Sequence, residues 1–334
     1  MLNWASRFSI FCFLDNGGYQ LAPQTYECLL AAGAQQSVQA GVNKLSDVDA
    51  LMEQKKWIFG HLCYEALHQQ FGLPPKKDKI GFPLFYFFQP QVVVFLKGAE
   101  LTIEGDDAES IAQSILATEP LPQKRLHSLL IQPRLSKEVY IQTIQQLQQH
   151  IQRGDCYEIN FCQEFFAEGA DIEPAQVFQN LVETSPNPFA AFYRVADQYL
   201  ICASPERFLT KRGSKLLSQP IKGTAPRGVD EREDEGLKKE LLQSQKERAE
   251  NVMVVDLVRN DLSKVCKEGS VQVEELFGIY SFPRVHQMIS TISGELKEGI
   301  SFSHIIEATF PMGSMTGAPK LRVMQLIDQY ESGS

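Results

Sequence analysis

Lys222 stands in the run Pro220-Ile221-Lys222-Gly223-Thr224-Ala225-Pro226-Arg227, one amine between an apolar residue and a glycine among turn-forming residues. An amine attacks only when neutral. From a reference pKa near ~10.4, deprotonation at pH 7 costs about 4.6 kcal/mol unless burial or a nearby cation lowers that value. Gly223 allows backbone or substrate to approach closely, and Pro226 stiffens the exit of the segment. A solvated loop lysine is the alternative that this segment leaves open. Glu206, in Ser204-Pro205-Glu206-Arg207-Phe208, follows the apolar run Gln198 to Ala203, which puts a carboxyl at a strand end. An ion pair with Arg207 is its structural alternative.

Two further acidic residues belong to a helical stretch that is apolar nearly all round after Asn251. Glu247, Glu250, Val254 and Leu257 share one face by three-and-four spacing, so a carboxylate is drawn toward whatever that face packs on. A buried carboxylate must be paired, protonated or bound to a metal. His286, in Phe282-Pro283-Arg284-Val285-His286-Gln287, begins a strand, where a hydrogen-bonded structural histidine is the plain reading. The run Pro311-Met312-Gly313-Ser314-Met315-Thr316-Gly317-Ala318-Pro319-Lys320 is a glycine-interrupted loop entering a helix, with Pro319 suited to the first turn. Free N–H groups at such a start favour an anion, although GxxxxGK[ST] spacing is absent.

Taken together, PIKGTAPRG, SPERF, the helix around Glu250 and the loop GSMTGAPK resemble the chorismate-utilising enzymes, from about Ser136 to the C-terminus and more weakly before it. Within them the match is to the members that form aminodeoxychorismate. Those carry a lysine at position 222, where the anthranilate-forming members carry alanine. The resemblance implies that Lys222 is a nucleophile on the chorismate ring. It implies that Glu206 is the acid or base serving the C4 hydroxyl, a poor leaving group whose protonation is worth ~10²- to 10⁴-fold in rate. Glu250, with Glu247 beside it, matches a divalent site that usually holds Mg²⁺, an ion that prefers one or two carboxylates plus water and ligand oxygens. His286 matches a residue beside the ring. Gly223, Thr224, Gly313, Thr316 and Gly317 match substrate-binding positions.

The same resemblance implies ammonia rather than water as second nucleophile, because water-adding members carry a lysine where this chain has Glu158. Amination enzymes usually carry glutamine there, which leaves the role of Glu158 open. No cysteine sits in a recognisable glutaminase elbow, so a separate glutamine amidotransferase subunit is the implied partner. The family pattern continues past Ser334 with substrate-gripping and metal-binding residues, so an incomplete site without turnover is expected of a protein ending there. A motif resembling Asn187-Pro188-Phe189 accompanies a tryptophan pocket in related proteins. Anthranilate synthase component I and a noncatalytic anion-binding or scaffold protein are the competing readings.

The elements that must position these residues are short. Strands are expected over Phe8 to Leu14, Trp57 to Tyr64, Leu84 to Phe88, Gln91 to Leu96 and 157–161, with Tyr157, Ile159 and Phe161 facing inward and Asp15-Asn16-Gly17-Gly18 as a turn. Helices are expected from Asp47 to Lys55 with Ser46 as cap, from Ser136 to Gly154 with Val139, Ile144, Leu147 and Ile151 as its apolar stripe, and from about Glu235 to Val258. The proline-spaced stretch 120–133 reads as a linker, which gives a β-rich domain over 1–125 and a chorismate-binding catalytic domain over 126–334. No regular βαβ alternation is present, so an α+β fold is expected; the resemblance implies a β-sandwich core flanked by helices.

At 334 residues, 43% apolar and with a formal charge of −9, the chain can bury a sizeable core but lacks the basic surface that nucleic acid or an anionic membrane requires. A carboxylate substrate must therefore meet local positive charge. Seven scattered cysteines without CxxC spacing read as reduced thiols. Arg7 and Asp15 bound the first apolar run too closely for a leader, so no export, no membrane span and a cytoplasmic location are expected.

Overall fold

A computed structural model describes residues 1–19, 26–74, 79–119 and 129–331. The chain forms two compact units, each discontinuous in sequence: Met1–Ala66, Asp78–Ser128 and Gly169–Pro205 in the first, Leu67–Lys77, Leu129–Glu168 and Glu206–Ser334 in the second. The expected boundary after residue 125 lies outside the described residues. Beyond it, 169–205 returns to the unit built by the N-terminal strands.

The first unit is a seven-stranded antiparallel sheet. Its order runs Gln198–Ser204, Phe189–Val195, Ile10–Asp15, Cys28–Gln39 and Phe85–Lys97, and the last of these also pairs with Phe59–Leu62 and Glu100–Glu104. Side chains alternate between two apolar clusters, one on each face. Phe11, Phe13, Leu30 and Ala32 join Phe178 and Phe192 on one side, while Ile10, Cys12, Leu29 and Ala31 join Phe88 and Tyr193 on the other. A strand buried on both faces has no polar alternation to reveal it, which is why Cys28–Gln39 escapes the sequence reading. The two strands expected over 84–96 are one, Phe85–Lys97, and Pro90 sits opposite Ala34 beside a register shift where a missing N–H is tolerated.

The second unit carries a five-stranded antiparallel sheet in which Val285–Glu295 pairs with Gln272–Ser281 along one edge and with Lys215–Gln219 and Ile221–Pro226 along the other. Arg207–Arg212 completes it. Helix Gln245–Val265 packs Val255, Leu262 and Val265 onto Leu216 and Ile292 of that sheet. The single helix expected from 235 to 258 is two, Glu231–Gln243 and Gln245–Val265. Ser244 breaks them with extended backbone and caps the second, its hydroxyl accepting from Glu247 N at 3.3 Å.

Elsewhere Ser136 caps helix Lys137–Gln152 as expected, and Gly154 takes φ +81° beyond its end. Of its expected stripe, Leu147 is buried but Val139 and Ile151 are exposed. Ser46 makes no capping bond; Asp47 instead accepts from Lys44 N at 2.9 Å. All seven cysteines are free. Among the described residues no helix is long and apolar enough to cross a membrane.

Candidate active site

Strand Ile221–Pro226 pairs Ile221 with Ile289 and Thr224 with Gln287, three steps on one strand against two on the other. The extra residue is a bulge at Lys222-Gly223, a distortion that re-aims a side chain out of the pleat. Gly223 has φ +101°, and a Cβ there would meet Met288 Cβ at 3.2 Å and Glu247 Cβ and Oε2 at 3.3 Å. Only glycine fits without strain. Asn251, 1% exposed, fastens the bulge from the neighbouring helix: its Nδ2 donates to the carbonyls of Lys222 at 3.2 Å and Met288 at 3.4 Å, and its Oδ1 accepts from Ser290 Oγ at 2.6 Å.

Lys222 is not a solvated loop lysine. Its side chain retains 14% exposure, and Nζ donates to Glu158 Oε1 and to Asn160 Oδ1, the latter at 3.3 Å. Glu158 and Asn160 lie two residues apart on extended chain, hence on one face. The expected inward face was the other one, yet Tyr157 is 77% exposed. The glycine loop fixes this face. Gly317 and Ala318 pair with Ile159 and Glu158, Tyr157 N donates to Ala318 O at 2.8 Å, Asn160 N to Thr316 O at 2.9 Å, and Asn160 Nδ2 to Ser314 O at 2.9 Å. A Cβ on Gly317 would lie 2.1 Å from Glu158 O.

Of the loop residues expected to meet an anion, Thr316 and Gly317 here hold 157–160 against Lys222. Gly313 leaves a Cβ only 3.0 Å from Leu257, and Thr316 is fully buried, its hydroxyl donating to Met312 O at 3.2 Å. Pro319 caps helix Lys320–Tyr330 instead of entering its first turn. Thr224 is exposed beyond the bulge.

Glu206 faces the same loop. Its Oε1 accepts from Ser314 Oγ at 2.6 Å and Ile221 N at 3.2 Å, while Arg207 donates to Gln219 at 2.6 Å. Burial pushes the Glu206 carboxyl above its ordinary value; the two hydrogen bonds and the Lys222 charge only partly offset this. A carboxyl raised by burial beside a lysine is suited to proton donation. Ser218, Asp261, Thr309 and Ser314 help enclose about 10 Å³ beside Glu206, room for one water but not for an organic acid.

His286 is fully buried, with Nδ1 2.9 Å from Ser281 Oγ and Nε2 2.9 Å from Asp234 Oδ1. Both ring nitrogens are engaged by protein, so the position expected beside the substrate is a buried one. Asp234 also accepts from Arg227 Nε at 2.7 Å and Gly228 N at 2.9 Å, and the guanidinium holds its carboxyl well below the usual range.

Glu247, Glu250, Val254 and Leu257 share a face as expected: Glu247 lies against Gly223, Val254 is buried and Leu257 lies against Gly313. The two glutamates retain 21% and 35% exposure, and Lys246 Nζ reaches both, at 3.2 and 3.4 Å. Among the described residues no cluster of three or more metal-ligating side chains forms. Two carboxylates that converge on one cation nonetheless suit Mg²⁺, which fills its shell with water and ligand oxygens. Glu158, Asn160, Asn251 and Ser314 were not predicted as site residues. Their signal was faint: one acidic residue of uncertain role, and small polar residues whose partners lie 29 to 154 positions away.

Among curated relatives, aminodeoxychorismate synthase component 1 of Escherichia coli (strain K12) is 42% identical over 200 residues, 60% of this chain and 44% of that protein. The chain thus spans less than half the length of that relative. Anthranilate synthase component 1 of Archaeoglobus fulgidus is 35% identical over 294 residues, 87% of this chain and 69% of that one. The crystal structure of anthranilate synthase component I from Streptococcus pneumoniae TIGR4 superposes with a TM-score of 0.82 over 94% of this chain and 79% of its own, at 22% identity, a likeness of fold. The model of the chorismate binding enzymes matches residues 15–334, and the chain belongs to that family.

Proposed function

We propose that the chain is the chorismate-binding part of an aminodeoxychorismate synthase component I, which aminates chorismate at C4 to 4-amino-4-deoxychorismate, the precursor of p-aminobenzoate and folate. The observation that carries the reading is Lys222, lifted out of its strand by a glycine bulge beside a carboxyl of raised pKa. The Lys222 nitrogen adds at C2, both ring double bonds shift, and the C4–O bond breaks as Glu206 delivers its proton to the leaving hydroxyl, which departs as water. Ammonia then bonds to C4, the C2–N bond breaks, and Glu206 recovers a proton from the new ammonium. Glu247 and Glu250 would hold Mg²⁺, which supplies positive charge for the ring carboxylate. His286, closed off by Ser281 and Asp234, positions the strand opposite the bulge. A glutamine amidotransferase subunit supplies the ammonia, and the protein acts in the cytoplasm.

Mass spectrometry of the full protein with chorismate and Mg²⁺ but no ammonia tests this: a covalent adduct on Lys222 is expected, together with formation of 4-amino-4-deoxychorismate once ammonia is added. A native protein without adduct, whose Lys222→Ala variant keeps full activity, removes the covalent step. The longer alignment with an anthranilate synthase component 1 favours a second reading, anthranilate formation. The product with ammonia decides between them.

A further inference from the structure

Among the described residues, the carboxylate in contact with Lys222 Nζ is that of Glu158. We propose that Glu158 is the proton acceptor of Lys222: it takes one proton from the ammonium, freeing the amine lone pair for the bond to C2, and returns it when the lysine is expelled. The inference rests on the function above, in which Lys222 is the nucleophile, and it answers how a lysine that begins as an ammonium can attack.

The first support is placement. Glu158 is held at the backbone, not by a flexible stem: its own carbonyl lies so close to position 317 that only glycine fits, and Tyr157 and Asn160 are bonded on either side of it to Ala318 and Thr316. The second is enclosure. The two side chains retain 14% and 18% exposure, and Glu158 Oε2 is buried without a hydrogen-bond partner. A carboxylate with one bare oxygen in low dielectric is poorly solvated, and the neutral acid suffers less from the same surroundings. Transfer of the proton turns a buried ion pair into two neutral groups. The third is orientation. Asn160 Oδ1, 3.3 Å from Nζ and fixed through its own Nδ2 to Ser314 O, accepts an N–H that the amine still carries after transfer. Among the described residues, two further carboxylates lie nearby: Glu206, which feels the Lys222 charge, and Glu247, which lies against Gly223. Glu206 is the proton donor in the reaction above and Glu247 is engaged by Lys246 Nζ at 3.2 Å, so among the described residues Glu158 is the base left to Lys222.

The test is the rate at which chorismate, without ammonia, forms an adduct on Lys222 in the full protein. In Glu158→Gln, which keeps shape and an acceptor oxygen, that rate is expected to fall about 100-fold at pH 7. The gap should narrow as pH rises toward the range where lysine deprotonates unaided, and chorismate affinity should stay within about twofold. Glu158→Ala is expected to regain rate with added formate, a small carboxylate that can occupy the vacated space. An adduct forming in Glu158→Gln at the native rate, or a deficit equal at every pH and unmoved by formate in the alanine variant, overturns the inference while leaving Lys222 as nucleophile. Absence of any adduct on the native protein overturns the nucleophile, and this inference with it.

Discussion

Ser314 Oγ lies 2.6 Å from Glu206 Oε1, joining residues 108 positions apart in the chain. The hydroxyl stabilises the charged carboxylate, and burial outweighs it. Glu206 is therefore held in an environment that favours its protonated form. The folded state binds this proton more tightly than the unfolded chain, so stability from this group is fully present below the ordinary glutamate value near ~4.3 and is lost as pH rises above it.

Glu206→Gln, which cannot ionise, is accordingly expected to melt above the native protein at pH 7 to 8, with the difference closing toward pH 4. Scanning calorimetry at the two pH values checks this. The same variant is expected to lose about 10²- to 10⁴-fold in adduct formation, as removal of a general acid requires. Stability gained and activity lost at one position is the signature of a functional group held at a cost.

Ser314→Ala removes one of the bonds that favour the Glu206 carboxylate, so its proton should be retained to higher pH. The alkaline limb of the profile for adduct formation on Lys222 should then move upward, not downward. An unmoved limb would mean that another group sets it.

Gly223→Ala must place a Cβ at positive φ against Met288 and Glu247. A loss of roughly 1–3 kcal/mol is expected for a side chain in that conformation, readable from urea unfolding midpoints. Adduct formation should fall further than stability does, because the bulge that aims Lys222 is what gives way.

Much of this arrangement was legible in the residues. Lysine followed by glycine, in a run closed by proline, marked a place of close approach, although the strand and its bulge were not read there, and the Ser136 cap and Gly154 marked both ends of one helix. What stayed hidden was whatever is decided by distant pairing. Which face of 157–160 looks inward is set by residues 316–318, and no local pattern carries that information. His286 had the right residue type for a ring contact, but Asp234, 52 positions earlier, had already engaged its Nε2.

That Asp234 pairing has an acid-side consequence of opposite sign to Glu206. Its folded value lies below the ordinary aspartate value near ~3.9, so its stabilisation is present above that pH, begins to fall there and is lost as pH falls on through the folded value. Asp234→Asn should lower the urea midpoint at pH 7 and flatten its further fall toward pH 3.5. His286→Gln should share the loss of stability while adduct formation falls less than tenfold, short of the ~10²-fold expected for a proton-transferring histidine.

Glu247 and Glu250 already hold one cation, the Lys246 ammonium, whose pKa both carboxylates raise. A divalent ion bound to the same oxygens must displace it. The lysine side chain is 75% exposed, and exposed pairs of this kind are worth about 0.2–1 kcal/mol each. Lys246→Met is therefore expected to tighten Mg²⁺ binding by about two- to fivefold in calorimetry, whereas Glu250→Gln weakens it and removes the Mg²⁺ dependence of chorismate binding. Chelation with EDTA should lower chorismate affinity of the native protein and leave that of Glu250→Gln unchanged. If Lys246→Met and Glu250→Gln both bind Mg²⁺ as the native protein does, the ion is held elsewhere, and the two carboxylates serve only their lysine.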